Sequence, residues 1–264
     1  MVPPFLAYYA ADKKDLNLLN ETVKQCGLYR QVLKANTTDS WKGLWHHIVG
    51  PESQDLGLWS TGNAWAAAGM TRVLATVMKS NWIEDDNWRS TAIDTLTKYI
   101  KEILDGASNA PMDTGLLRNY LNDRDSRGHG FGEVAGSALL AATTYRMVVL
   151  RPSIFDQTYV AWADRIRGVL GAKSNSPHIT TSGIVTPVVN PYAWLDTRPY
   201  TAGSPEGNSF VILLYAAWRD CVQAGNCSPT SVEFSSAKNI LYAPRLCHLR
   251  SSKRLPSYLF SGSR

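Results

Sequence analysis

The sequence predicts an all-α fold, a closed or partly closed toroid of helical hairpins of which this chain supplies about three and a half. Three observations lead there. Apolar residues recur at helical spacing along most of the chain, while strand signals are scarce. The helices are of two alternating kinds. Asn63, Glu133 and Glu206 open successive helices of one kind and lie 70 and 73 residues apart.

The first helix is read from PPFLAYYAA, starting near Pro3. Asp15 to Leu33 follows as an amphipathic helix with Leu16, Leu19, Val23 and Val32 among its apolar residues. Ser60 to Met78 is the third, with Ser60-Thr61 as its expected N-cap. Asp86 to Leu104 carries Ile93, Leu96, Ile100, Ile103 and Leu104 on one face, and Gly106 is its expected stop. Phe131 to Leu150 and Phe155 to Leu170 are split by Pro152. Ser204 to Val222 begins on Pro205, a natural first-turn residue, and ends near Gly225.

GNAWAAAGMTRVLATV, GEVAGSALLAATTYRMVVL and SPEGNSFVILLYAAWRDCV are rich in small and aromatic residues, as is PPFLAYYAA. WRSTAIDTLTKYIKEIL and YVAWADRIRGVL are instead charged along one side. A helix apolar nearly all round is buried, whereas an amphipathic one meets water. Inner helices therefore alternate with outer ones, four of the first kind starting near Pro3, Ser60, Phe131 and Ser204, with three of the second between them. A repeat of 70 residues is long for an open solenoid, where periods of roughly 34 to 47 are usual, so a toroid is preferred. Inner-helix N-termini would then gather at one end of the ring, where free N–H groups favour an anionic or polyhydroxy ligand.

Composition narrows the function. The 264 residues are 44% hydrophobic and 19% charged, values of a folded chain with a sizeable core. Nine Trp and twelve Tyr suit a protein that stacks flat, partly apolar ligands such as sugars. The net charge of +5 resides in Arg245, Arg250, Lys253, Arg254 and Arg264, and the remainder is neutral. Nucleic acid is therefore not expected as a partner. Residues 1–240 are read as the toroid domain and 241–264 as a basic, Ser-rich, unstructured tail.

Cys26, Cys221, Cys227 and Cys247 lack metal-type spacing, so no zinc and no cofactor is expected. Cys221 and Cys227 could pair locally in an oxidising compartment. No apolar run approaches the roughly 20 residues of a membrane span, and MVPPFLAYYAADKKD does not read as an export signal. Glycosylation sequons nevertheless occur at Asn20, Asn36 and Asn226.

The run GLWHHIVGPESQDLGLWSTGNAW resembles glycoside hydrolase families 88 and 105, the unsaturated glucuronyl and rhamnogalacturonyl hydrolases. The matching residues are Gly43, Leu44, Trp45, His46 and His47, then Trp59, Gly62, Asn63 and Trp65. FGEVAGSALLAATTYRM and SPEGNSFVILLYAAWRD are similar to later inner helices of fungal members. The resemblance implies an (α/α)6 toroid, part of the six-hairpin glycosidase superfamily. It implies removal of an unsaturated uronic acid from the end of a pectin or glycosaminoglycan fragment. In that chemistry a carboxylic acid protonates C4 of the C4=C5 enol ether, positive charge develops at C5 and the ring oxygen, and water adds at C5. The hydrated ring then opens and releases the sugar.

Two departures follow. The family's Arg before Gly-Asn/Gln is Thr61 here, which offers one hydroxyl where a guanidinium would grip a carboxylate with two bonds. The family's principal catalytic Asp lies just before the helix that PPFLAYYAA resembles, which is upstream of Met1. The expectation is therefore part of a longer, secreted, monomeric enzyme, active only when extended at its N-terminus.

His47 is the catalytic-site candidate, contacting substrate or orienting water, with a hydrogen-bonded loop histidine as the alternative. His46 is a second candidate. Trp59 and Trp65 are candidates to stack on a sugar, or to pack in the core. Asn63 would bind substrate hydroxyls or satisfy backbone groups at its helix start. Glu133 and Glu206 sit where a helix N-terminus favours carboxylates, as substrate contacts or as helix stabilisers. Asp196 and Arg198 are candidates to line the cleft, and His129, His178 and His248 are read as solvated. Two other functions stay open. One is an ordinary inverting glycosidase using Glu133 or Glu206 with a second carboxylate. The other is a partial toroid that only binds carbohydrate.

Overall fold

The computed structural model describes residues 2–36, 42–123, 130–172, 177–193, 195–196 and 198–229. The tail at 241–264, with Cys247 and His248, and also His129, lies outside the described residues. Within them the chain forms α1 (Val2–Lys13), α2 (Leu16–Leu33), α3 (Ser60–Lys79), α4 (Asp86–Ser108), α5 (Val134–Leu150), α6 (Gln157–Gly171) and α7 (Pro205–Gln223). A two-residue hairpin, β1 (Met112–Asp113) with β2 (Leu116–Leu117), sits between α4 and α5.

The alternation read from composition is the architecture. α1 packs on α2, α3 on α4 and α5 on α6, while α1, α3, α5 and α7 pack on one another in that order. The described residues thus hold three hairpins and a further inner helix, arranged as an arc. All four inner helices contribute to one cavity of about 640 Å³, bounded by Tyr8, Ala68, Ala142 and Leu213 among others. α5 lies centrally between α3 and α7, and 14 of its residues are buried. That is why it reads apolar all round. The two flanks of the arc keep apolar side chains in water: Val2, Phe5, Tyr8 and Tyr9 on α1, and Ile212 on α7.

Local chemistry places the helix ends. Asp15, Asp85, Asp156 and Ser204 each accept a hydrogen bond from a backbone N–H of the first turn, as N-caps do. Three expected ends are corrected. Ser60 and Thr61 are already helical, and the cap position of α3 belongs to Trp59, whose side chain makes no cap bond. The next loop does that work: the Ser60 N–H donates to the Asn119 carbonyl at 2.8 Å. Gly106 does not stop α4, which continues to Ser108. A Cβ on Gly106 would meet Leu44 Cγ at 2.8 Å, so this glycine permits close packing rather than termination. α5 starts at Val134 rather than Phe131, because Phe131 and Gly132 remain tied to the preceding loop through Asn119 and Asp113.

Buried Arg167 ties the outer helix α6 to inner ones. It bonds Asp164 at 2.8 Å and the Tyr145 hydroxyl at 3.2 Å, and its guanidinium stacks 4.3 Å from the Trp218 ring. Cys221 and Cys227 form a disulfide at the end of α7, and Cys26 is free and buried. No helix among the described residues is long and apolar enough to cross a membrane.

Candidate sugar-binding site

The loop of residues 42–59 carries the first six motif residues, Gly43 to His47 and Trp59, and its shape is set by its neighbours. Gly43 adopts φ +105°, and a Cβ there would sit 2.5 Å from the Glu102 carbonyl oxygen, so only glycine fits. Asn63, in the first turn of α3, reaches back to hold the loop. Its Oδ1 accepts from the Trp45 N–H at 2.8 Å, and its Nδ2 donates to the carbonyls of Trp45 and Trp59 at 3.0 and 2.9 Å. Asn63 is 1% exposed, so its carboxamide satisfies backbone rather than meeting solvent. Of the two roles expected for it, the structure shows the backbone one.

The loop then doubles on itself. Ile48 and Asp55 exchange backbone hydrogen bonds, and the His47 N–H donates to the Gly57 carbonyl at 2.9 Å. These bonds bring His47 and Asp55 together, with His47 Nδ1 2.8 Å from Asp55 Oδ2. The Tyr120 hydroxyl donates to that same oxygen at 2.5 Å and lies 3.3 Å from His47 Nδ1. Burial alone would raise the Asp55 carboxyl, but bonds from Tyr120, His47 and the Gly57 N–H outweigh it and hold Asp55 below its ordinary range. Burial and the neighbouring carboxylate push the Tyr120 hydroxyl up, so it stays a donor.

His47 packs at 4.7 Å against Trp59, and Trp59 meets Trp65 edge-on at 5.4 Å. The Trp59 indole N–H donates to Asn119 Oδ1 at 3.0 Å, fixing that ring. His46, His47, Trp59, Asn63 and Trp65 all border one pocket of about 450 Å³, closed by Pro3 and Pro4 of α1 and by Cys26 and Tyr29 of α2. His46 is anchored by its Nδ1, 2.6 Å from the Leu56 carbonyl. Trp65 is 42% exposed, which leaves its face available to a ligand. Aromatic walls with a few fixed polar groups are what an apolar sugar face and its hydroxyls require.

Glu133 and Glu206 do not border this pocket. Glu133 is the N-cap of α5 and is 0% exposed. Its two oxygens accept from the Ala135 and Gly136 N–H groups at 3.0 and 2.6 Å, and Oε2 also accepts from Thr61 at 3.2 Å. Burial pushes its carboxyl up to about 7, against those three bonds, and proximity to Glu206 adds to the rise. Burial likewise raises Glu206, opposed by a polar contact with the Trp65 side chain. The starts of α3, α5 and α7 are thereby linked, as the expected convergence of inner-helix N-termini requires.

Thr61 is 1% exposed and directed to Glu133, away from the pocket. Asp196 and Arg198 pair with each other at 2.9 Å on the surface. His178 is half-buried, its Nδ1 3.0 Å from the Thr186 carbonyl, rather than solvated as read. Sequence reasoning missed Asp55 and Tyr120. Asp55 stood inside the motif run eight residues after His47, whereas Tyr120 comes from the loop before α5 and carries no local signal. Among the described residues no three His, Cys, Asp or Glu side chains gather as a metal site would need.

Solved structures similar to this chain include glycoside hydrolases and a polysaccharide lyase. The chain is similar to a possible member of glycoside hydrolase family 105 from Salmonella enterica serovar Paratyphi A, with TM-score 0.64 and 19% identity over 83% of this chain and 55% of that one. A family 88 glycosyl hydrolase from Bacteroides vulgatus gives TM-score 0.60 and 14% identity over 85% and 60% of the two chains. A polysaccharide lyase gives 0.59 and 16% identity over 85% and 59%. No family model matches the sequence. No curated protein matches it significantly. The chain shares the helical-hairpin fold of these family 105 and family 88 structures, and it spans little more than half their length.

Proposed function

We propose that this chain forms the sugar-binding part of a carbohydrate-active enzyme, a glycoside hydrolase working on unsaturated uronyl oligosaccharides by hydration of their C4=C5 enol ether. The observation that carries the reading is the pocket itself. The motif residues His46, His47, Trp59 and Trp65 border one aromatic-walled recess at the start of α3, in a fold shared with families 88 and 105. Trp65 would stack on the uronyl ring, and His47 would contact its hydroxyls or the attacking water. Asp55 is a poor general acid, because its bonds keep it ionised. The resemblance assigns that role to an Asp outside this sequence. The Cys221–Cys227 disulfide supports an oxidising compartment and hence secretion.

The test follows loss of the ultraviolet absorbance of the C4=C5 bond in unsaturated galacturonyl-rhamnose. Both this chain and one extended at its N-terminus are assayed. Turnover by the extended chain, abolished by His47→Ala, is the expected result. An extended chain that folds and leaves the absorbance unchanged would overturn the reading.

A further inference from the structure

We propose that Asp55 and Tyr120 are positioning residues that hold the neutral His47 ring with its proton on Nδ1, so that Nε2 carries the lone pair. A carboxylate only accepts, and Asp55 Oδ2 lies 2.8 Å from Nδ1, so Nδ1 must be the donor of that bond. The Tyr120 hydroxyl spends its proton on the same carboxylate oxygen at 2.5 Å. The opposite tautomer would set the Nδ1 lone pair against Asp55, or turn the Tyr120 proton to Nδ1 across 3.3 Å and deprive Asp55 Oδ2 of both its donors. The ionised state of Asp55 fits this arrangement, since its other oxygen accepts from the Gly57 N–H at 2.9 Å.

The three residues are held from separate directions. Asp55 and His47 are locked by the backbone pairing of the 46–57 turn, and the ring leans on Trp59. Tyr120 arrives on a loop stitched to the same segment. There the Leu58 N–H donates to Asn122 Oδ1 at 3.0 Å, and the Leu121 N–H donates to the Leu58 carbonyl at 2.9 Å. This is the logic by which a carboxylate fixes the tautomer of a catalytic histidine. What the Nε2 lone pair does to a sugar hydroxyl or a water rests on the function proposed above. The tautomer itself does not.

The experiment is long-range ¹H–¹⁵N correlation of the histidine rings in the whole chain without sugar, at a pH where the rings are neutral. His47→Gln assigns the His47 signals by their loss. The expected wild-type spectrum shows a pyrrole-like Nδ1 and a pyridine-like Nε2 for His47. The reading is taken on the wild-type chain, and His47→Gln, folded by circular dichroism, serves only to assign it. Asp55→Asn, whose amide can turn its NH₂ toward Nδ1, should raise the Nε2–H fraction of His47 several-fold and leave His46 unchanged. Asp55→Asn is read only after circular dichroism matches the wild type. Tyr120→Phe keeps the Asp55 bond and should preserve the Nδ1–H form. A wild-type proton on Nε2 overturns the proposal, as does a folded Asp55→Asn chain with an unaltered His47 tautomer. Failure of the ultraviolet assay would leave both readouts standing, so the two ideas fail separately.

Discussion

Asn63→Ala is expected to destabilise the chain by about 3 kcal/mol, because it strips partners from buried backbone groups of Trp45 and Trp59 at once. That corresponds to a fall in melting temperature of roughly 6–12 °C for a chain of this size. The cost arises less from the lost bonds than from the Trp45 N–H left unpaired inside the protein. The same change frees the segment that carries His46 and His47, so sugar affinity should fall with stability. Asn63→Asp restores the acceptor for the Trp45 N–H but sets carboxylate oxygens against two carbonyls, and should be no better. Thermal unfolding by circular dichroism checks this. A melting temperature within 2 °C of wild type, a bound set by the roughly 1 kcal/mol such a shift represents, would show that the carboxamide does not hold the loop.

Glu133 should have the second largest effect, and its signature is pH. Glu133→Ala removes the acceptors for two buried N–H groups at the start of α5, at a cost of about 2–3 kcal/mol. In the wild type the folded-state value of about 7 stands above the ordinary carboxyl value of 4.5. A raised carboxyl contributes stability that is fully present below the unfolded value and is lost as pH rises through the folded one. The wild type should therefore lose about 1.4 kcal/mol per pH unit from this group between roughly pH 4.5 and 7, relative to Glu133→Gln. Denaturant melts of both chains across that range measure the difference. A pH-independent gap would mean that Glu133 does not titrate in the fold. Because Glu133 is sealed from the pocket, turnover per folded molecule of the N-terminally extended chain should be unaffected by Glu133→Gln, which separates capping from an inverting-glycosidase role.

The repeating parts of this molecule were legible in its sequence. Inner and outer helices declare themselves because α5 is buried all round while α4 and α6 each keep a polar side. The 70- and 73-residue spacing was legible because each repeat must put its inner helix start at the same end of the arc. Features that depend on a second segment were not. Gly106 looks like a helix stop locally, and only the approach of Leu44 explains it. Glutamate is not among the favoured N-caps, so Glu133 read as readily as a site residue. Asn63 reads equally as a ligand contact or a backbone partner, and only the position of Trp45 shows its backbone bonds. The Asp55, His47 and Tyr120 cluster joins loops 73 residues apart, and no periodicity reports that meeting.

Whether the recess bordered by His46, His47, Trp59 and Trp65 binds the sugar is decided by mapping binding on the tryptophan indoles. Unsaturated galacturonyl-rhamnose is titrated into ¹⁵N-labelled chain while the indole N–H signals are followed. Trp65 and Trp59 should shift together and saturably. Trp82, on the cavity between the inner helices, and Trp162, buried on α6, should stay fixed. Shifts confined to Trp82, or no shift at Trp65 under saturating sugar, would mean that the sugar does not bind in this recess.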